Sequence, residues 1–159
     1  MTDAQTPLAA TARFERSFIG ALLNGDIRAT SIELRAADFT DAFCARVFGA
    51  ALTLEARGQA CDLVTVTDFC PDLEAGTLVE LAQEAAPVAS LAAQHARSIR
   101  EAAQRRAVRA AALELAQKAG EPDSPLSELL DGMKARLDTL PGRCPPAALW
   151  TRCAASTRT

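Results

Sequence analysis

Several residue types on which common enzyme classes depend are scarce in this chain. Its 159 residues include no tyrosine, one tryptophan, one histidine, and two lysines beside fifteen arginines. A P-loop for nucleotide hydrolysis needs a lysine between a glycine and a serine or threonine. Lys118 and Lys134 are each followed by alanine, which excludes a standard P-loop, and the G-x-S-x-G, H-E-x-x-H and G-x-G-x-x-G motifs are also missing. We therefore expect neither a catalytic site nor a bound cofactor.

Cysteine and histidine do not combine into a predicted metal site. The five cysteines, at positions 44, 61, 70, 144 and 153, include no C-x-x-C pair, and zinc needs such closely spaced ligands. We expect reduced thiols in a cytoplasmic protein, some of them buried as small apolar side chains. The single histidine, His95, has no carboxylate three or four positions away on its helix, so its expected role is structural rather than catalytic.

Long apolar runs and an excess of positive charge are missing as well. No stretch of about 18 apolar residues could span a membrane, and the first twelve residues lack the features of a signal peptide. The net charge of −3 argues against a chain that binds nucleic acid as a whole. We expect a cytoplasmic protein without membrane contact, and weak or no direct nucleic-acid binding.

Alanine and leucine are abundant, with 35 and 19 residues in a chain that is 49% apolar. Alanine is the strongest helix former and a weak strand former, and this apolar content is too high for a disordered chain. The composition predicts an all-α fold in which small side chains let the helices pack closely.

Apolar periodicity and capping residues divide the chain into elements. They predict helices at 12–24, 27–34, 42–57, 76–86, 89–119 and 126–140. Residues 62–70 are ambiguous, because they alternate like a strand while Asp62 or Thr65 could cap a short helix. The first eleven residues are expected to be frayed and flexible, and the tail at 141–159 has no periodicity and is expected to be irregular.

The longest segment without glycine or proline is 89–119. On a helical wheel its first apolar residues (Ala92, Ala96, Ile99 and Ala103) face one direction, and those from Val108 onward face another, about 140° away. A straight helix facing one core would not show this change. The helix is expected either to kink near 104–107 or to leave one core and enter a second contact.

The last predicted helix has apolar residues at heptad spacing from Leu126 to Leu140. It can fold back on the second half of the long helix as an αα-hairpin. The sequence therefore predicts a small orthogonal helical head at 12–103, followed by a projecting two-helix hairpin at 104–140. The expected hairpin and oligomer interface consists of Val108, Ala112, Leu115, Leu126, Leu130, Met133 and Leu137.

Five arginines are concentrated between positions 97 and 109, where Glu101 is the only acid. They indicate either a solvated helix face with an ion pair between Glu101 and Arg105, or a surface for an acidic partner or nucleic acid. No aromatic residue lies among them, so base stacking is not supported. The candidate partner-binding residues are Arg97, Arg105, Arg106 and Arg109.

Five segments in order resemble the N-terminal domain of the DnaB family of replicative DNA helicases. They are E-R-S-F-I-G-A-L-L at 15–23, A-D-F at 37–39, the helix and its end at 46–59, D-L-V-T-V at 62–66, and the segment at 87–101. The resemblance covers roughly residues 13–140 and favours a capped helix at 62–70. In the last segment the asparagine and tyrosine usual in the family are replaced by Leu91 and His95.

The resemblance implies a helical head and hairpin that dimerise, form a ring collar with hairpins packed between subunits, and bind primase. It implies no catalytic residue, because the family's ATPase lies in a separate RecA-like domain. We therefore expect a non-catalytic oligomerisation and partner-binding module of DNA replication. Expected partners are a second copy, primase, a helicase loader or a replicative helicase. The alternatives are a truncated replicative helicase, or a regulator or inhibitor of helicase assembly.

Overall fold

A computed structural model describes residues 7–120 and 125–139. Within these ranges the chain forms α-helices and short 3-10 turns and contains no β-strand, so the predicted all-α fold is confirmed. The helices are α1 (Pro7–Leu23), α2 (Ala42–Ala56), α3 (Leu63–Phe69), α4 (Ala75–Gln83), α5 (Ala89–Ala119) and α6 (Leu126–Thr139). None of the helices in the described ranges is long and apolar enough to cross a membrane.

The chain divides into two units within α5, between Ala103 and Gln104. The first unit contains α1 to α4 and the first half of α5, where Ala92, Ala96 and Ile99 are buried on the face that the wheel predicted. The second unit contains the rest of α5 and α6, and none of its described side chains is fully buried. Helix α5 is unbroken through 104–107, where the sequence suggested a kink.

Helix α1 begins at Pro7, five residues before its predicted start. Residues 7–11, which the sequence analysis assigned to a frayed segment, are helical, and 1–6 lie outside the described residues. Proline suits the first position of a helix, because its fixed φ is already helical and its missing N–H would have no partner there. The residues that follow, mostly alanine and leucine, favour continuation of the helix.

Helix α2 begins and ends as its sequence predicts. The Asp41 carboxylate accepts a hydrogen bond of 2.8 Å from the Phe43 N–H and so caps the first turn. After the last turn Gly58 adopts a φ of 74°, and its N–H donates to the Glu55 carbonyl. The next N–H, of Gln59, donates to the Leu54 carbonyl, which completes a Schellman motif. A left-handed residue is needed there, and glycine adopts that conformation without strain.

The helix predicted at 27–34 is wrong. The loop between α1 and α2 instead contains two 3-10 turns, Ala29–Ser31 and Ala36–Asp38. The backbone N–H groups of Ala29 and Thr30 donate to the two carboxylate oxygens of Glu55, at 2.8 and 2.9 Å. This carboxylate, supplied by α2, holds the loop backbone in its turn, while β-branched residues on either side weaken any helical preference.

Residues 62–70 form the short helix α3, so the capped-helix alternative is confirmed and the strand is not formed. The Thr65 N–H donates to the Asp62 carboxylate at 2.8 Å, and the Asp62 N–H donates to the Thr65 hydroxyl at 3.0 Å. This reciprocal pair is a capping box. Helix α4 ends at Gln83, before its predicted end at 86, because the Ala86 N–H donates to the Ser17 carbonyl of α1.

Helices α1 and α4 approach each other closely at Gly20. A Cβ atom at this position would lie 2.1 Å from the Leu81 carbonyl oxygen and 2.8 Å from the Ala85 backbone. Polar contacts hold the same interface, including a hydrogen bond of 3.1 Å from the Asn24 side chain to the Ala82 carbonyl. The Arg16 guanidinium forms a two-pronged ion pair with Glu84 of α4.

Three phenylalanines occupy the centre of the first unit. Phe18, Phe39 and Phe48 are buried, with ring centroids separated by 5.1 to 6.2 Å in tilted arrangements. Such geometry is favourable for aromatic pairs. The rest of this core consists mainly of leucine, valine, isoleucine and alanine, as the composition predicts.

Candidate partner-binding surfaces

The arginines of α5 separate into two groups. Arg100 is used inside the first unit, where its Nε donates to the Glu33 carbonyl at 3.0 Å and its Nη2 reaches the Glu33 carboxylate at 2.8 Å. Arg97, Arg105 and Arg109 are exposed, and Arg106 is half-buried. Among the described residues the ion pair considered between Glu101 and Arg105 is not formed. The exposed arginines therefore keep their charge available to a partner.

The predicted hairpin interface contains large apolar side chains that are exposed in the single chain. Val108 on α5 is 46% exposed, and on α6 Leu130 and Met133 are 49% and 42% exposed. The first unit has a buried apolar core, and three of its valines, Val64, Val79 and Val88, are exposed to a similar degree. Of the other members of the predicted interface, Ala112 is exposed and Leu115 is half-buried, while the side chains of Leu126 and Leu137 lie outside the described part.

His95 lies on the first half of α5 and packs against Phe14 of α1, with ring centroids 5.0 Å apart. Its Nδ1 atom is buried and, among the described residues, has no hydrogen-bond partner. Burial lowers the pKa of this imidazole, because the charged form would lose its hydration. The neutral ring is therefore the form that this site favours.

The described cysteines are free thiols. Cys44 and Cys61 are buried, and Cys70 is half-buried; Cys144 and Cys153 lie outside the described residues. Burial raises the pKa of Cys61 to about 12, with a smaller contribution from the Glu55 carboxylate. Burial and the neighbouring Asp41 carboxylate also raise the pKa of Cys44. Because the reactive form of cysteine is the thiolate, neither residue is suited to nucleophilic chemistry.

Two buried carboxylates were not singled out from the sequence. Glu15 is fully buried, and its oxygens accept hydrogen bonds from the Thr40 N–H, the Thr40 hydroxyl and the Asp41 N–H at 2.7 to 2.9 Å. Glu55 holds the preceding part of the same loop in the same way. Both carboxylates are fully used within the fold, so they are structural groups rather than candidate acids or bases.

The described residues contain no group of three or more histidine, cysteine, aspartate or glutamate side chains that could hold a metal ion. Among the described side chains, the exposed arginines and apolar residues of α5 and α6 are candidates for function. Side chains of these types are common in surfaces that contact other macromolecules.

Comparisons with known proteins identify the family to which the helical fold of this chain is related. The family model for the DnaB-like helicase N terminal domain matches residues 8–101. The chain is similar to the crystal structure of the N-terminal domain of DnaB helicase from Mycobacterium tuberculosis, with 26% identity, a TM-score of 0.66, and coverage of 78% of this chain and 93% of that chain. A search of curated proteins found no match.

The chain also shares its fold with a DnaB-like replicative helicase whose structure is described together with its interactions with primase. The identity is 16% and the TM-score 0.66, over 91% of this chain and 35% of that one. This chain thus spans about a third of that helicase. The family match itself extends over well more than half of the 159 residues. The chain therefore belongs to the DnaB-like helicase N-terminal domain family.

Proposed function

We propose that this protein is a non-catalytic module that self-associates and binds partner proteins in DNA replication. The observation that carries the proposal is the family match, which extends from residue 8 to 101 and so covers nearly all of the first unit. The free side chains described above fit a binding role, since they are cationic and apolar rather than nucleophilic or metal-binding.

The exposed apolar residues of the second unit support self-association. Leu130 and Met133 are spaced three apart on α6, and both are almost half exposed. Fully burying an exposed side chain of this kind contributes about 1.5–3 kcal/mol, so burying the exposed half contributes about half as much. A second copy carries the same heptad pattern and provides a matching surface, so we propose that the residues predicted for the hairpin interface pack between copies.

The self-association is tested by the mass of the assembly in solution. Light scattering coupled to size-exclusion chromatography at about 100 μM should give a dimer or a larger closed assembly. Replacing Leu130 and Met133 by glutamate should reduce the mass to that of the monomer. Ala135→Glu is the matched control, because Ala135 is exposed on α6 outside the heptad positions. A strict monomer for the unaltered protein would refute the self-association.

Primase is the first proposed partner. The support is that one structure with the same fold is described with its interactions with primase. The exposed Arg97, Arg105 and Arg109, together with Arg106, offer cationic contacts to an acidic surface of such a partner. A helicase loader and a replicative helicase are the other partners to be compared.

The partner is tested by binding measurements with purified primase, loader and helicase from the same cell. Replacing the four arginines by alanine should weaken the complex and reduce its salt dependence. Arg13→Ala serves as the control, because Arg13 is an exposed arginine on α1. Unchanged affinity of the fourfold variant would exclude the arginines as the contact. A strong salt-dependent mobility shift of single-stranded DNA would contradict the expectation of weak or absent nucleic-acid binding.

A further inference from the structure

Charge is unevenly distributed within the first unit. Positions 58–96 contain six carboxylates and neither lysine nor arginine. Three of the six are occupied by the fold, because they cap α3 or pair with an arginine of α1 or α2; they are Asp62, Asp72 and Glu84. The other carboxylates leave negative charge on this part of the surface, which attracts a segment of the opposite sign.

Two of the remaining carboxylates are open to solvent on α3 and α4. Asp68 is exposed on α3 and takes part in no ion pair with the described residues. The Glu80 side chain on α4 is 70% exposed. It lies 3.9 Å from the Arg16 guanidinium, which Glu84 already binds at 2.7 Å. Both carboxylates can therefore accept hydrogen bonds from a cation that the first unit does not supply.

Exposed valines accompany these two carboxylates. Val64 is 69% exposed and precedes Asp68 by four positions, so both lie on one face of α3. Val79 is 41% exposed and adjoins Glu80 on α4, which packs against α3. We call Val64, Asp68, Val79 and Glu80 the acidic face. It offers a ligand two negative charges and two apolar side chains.

The segment that follows α6 has a sequence of complementary character. We call residues 140–159, which lie outside the described residues, the basic tail. The tail contains no aspartate or glutamate, and its arginines are Arg143, Arg152 and Arg158. It also contains Trp150, the single tryptophan of the chain, next to Leu149. The large apolar ring system of tryptophan gains from leaving water, so the tail combines positive charge with an apolar group.

We propose that the basic tail binds the acidic face of the same chain. Arginines of the tail then meet Asp68 and Glu80, and the Trp150 ring covers the two valines. This contact compensates charges of both signs and removes apolar surface from water at the same time. Arginine suits it, because a guanidinium binds a carboxylate through two parallel hydrogen bonds. The cationic stretch at 97–109 would repel the tail, which favours the acidic face as its site.

The length of the tail suits a contact within one chain. The ten residues 140–149 that precede Trp150 extend over up to about 33 Å, whereas a compact domain of about 100 residues has a radius of gyration of about 13 Å. Attachment to the same chain gives the tail an effective concentration in the millimolar range. A contact with a dissociation constant of about 100 μM would then be closed about ten times more often than open.

This contact gives the tail a regulatory function that the proposed replication module does not require. A partner protein that approaches the acidic face must displace the tail, so the tail limits access to α3 and α4. The contact lies within one copy, and it therefore does not depend on the self-association proposed above.

Fluorescence of Trp150 in the full chain reports the contact, because no other tryptophan contributes. Acrylamide is a suitable quencher, since it is neutral and does not respond to the charges themselves. At low salt it should quench Trp150 at least about threefold more weakly than in urea, as expected for a tail that is mostly bound. The face variant, Asp68→Arg with Glu80→Arg, should raise the quenching toward the value in urea. The tail variant, Arg143→Glu with Arg152→Glu, should do the same.

A chain that carries all four substitutions tests the pairing of charges. Its tail and its face have both changed sign and are complementary again, so the protection of Trp150 should return. The matched control reverses two exposed carboxylates of the first unit outside the acidic face, with Asp26→Arg and Glu101→Arg, and should leave the quenching unchanged. Asp68→Arg alone places no cation beside Arg16 and should raise the quenching in part. It decides the test if far-UV circular dichroism shows that the face variant has lost helix.

Each other outcome refutes the contact. Quenching of Trp150 as strong in the folded chain as in urea means that the tail is not bound. Protection that neither the face variant nor Asp68→Arg reduces means that the tail binds another surface. Protection that the fourfold variant does not recover means that the two sets of charges do not meet. Protection that appears only as the protein concentration rises from about 1 to 100 μM means that the tail binds a second copy, and the contact within one chain is then refuted. A monomer with a protected Trp150 supports this contact, while the proposed self-association fails.

Discussion

The close approach of α1 and α4 predicts a large effect of the smallest possible substitution, Gly20→Ala. The added methyl group would lie 2.1 Å from the Leu81 carbonyl oxygen, where ordinary contact begins near 3.4 Å. Its other close neighbours, at 2.8 Å, are backbone atoms of Ala85. No flexible side chain can move aside, so the two helices must separate by about an ångström or α1 must rotate.

The expected change in the free energy of unfolding combines opposing contributions. Alanine is favoured over glycine in a helix interior by about 1 kcal/mol. Overpacking costs about 1–3 kcal/mol. Separation of the helices also lengthens two hydrogen bonds of 3.1 Å, one from the Ala86 N–H to the Ser17 carbonyl and one from the Asn24 amide to the Ala82 carbonyl. Each of these hydrogen bonds contributes about 1 kcal/mol to stability. The net expectation is a loss of about 2–4 kcal/mol.

Urea denaturation followed by far-UV circular dichroism measures this loss, and a decrease of the thermal midpoint by about 10–20 °C should accompany it. The matched control is Gly49→Ala. Gly49 lies inside α2 and has no atom within 4 Å of the position that a Cβ would take. The control should therefore gain about 0.5–1 kcal/mol from helix propensity alone. If Gly20→Ala is as stable as the unaltered protein, the close backbone contact is refuted.

Three further predictions concern buried ionisable groups. Glu15→Gln should lower the free energy of unfolding, measured by urea denaturation, by about 2–3 kcal/mol, because the amide NH₂ would face hydrogen-bond donors. The control Glu101→Gln, at an exposed position, should leave the free energy of unfolding unchanged. Equal stability of the two variants would contradict the role of Glu15. Burial tends to raise the pKa of Glu55, yet the hydrogen bonds, chiefly from Thr30, lower it below its ordinary value. The ionised Glu55 carboxylate therefore stabilises the fold fully above the pKa of an unfolded glutamate, and this stabilisation is lost as the pH falls below that value. Glu55→Gln should flatten the acid part of the curve of unfolding free energy against pH. An unchanged curve would count against this role of Glu55. Because burial lowers the pKa of His95, its neutral form stabilises the fold fully above about pH 6.5, and this stabilisation is lost at lower pH. The thermal midpoint should therefore rise with pH between about pH 5 and 7, and His95→Phe should remove that rise. A rise that persists in the variant would contradict the burial of a neutral His95.

Local signals predicted most of the helices. The capping residues Asp41 and Asp62, and the glycine after α2, act over two to four positions, so their effect can be read from neighbouring residues. The all-α class follows from composition for the same reason. The wheel also identified the buried face of the first half of α5, because burial of Ala92 and Ile99 follows the helical period.

Contacts between distant segments account for what the sequence did not predict. Glu15 and Glu55 each bind a loop about 25 positions away, and no periodicity distinguishes them from the exposed glutamates. Glu55 in particular converts the helix predicted at 27–34 into a turn. The end of α4 also depends on Ser17, which is remote in the chain. A buried carboxylate with three hydrogen bonds can be recognised only when the partner loop is known.

The arginines of α5 show that the sequence can identify a cationic cluster on a helix, whereas the fold decides which of its side chains are available to a partner. Arg100 and Arg105 are one residue type, five positions apart, and the sequence places both in one cationic cluster. Arg100 follows the buried Ile99 inside the first unit, where it binds Glu33. Arg105 and Arg109 lie beyond that packed turn and remain exposed. Partner binding is therefore to be sought in the other four arginines of the cluster, Arg97, Arg105, Arg106 and Arg109. Loss of Arg100 would weaken the first unit and would lower the affinity for any partner without identifying the surface that the partner contacts.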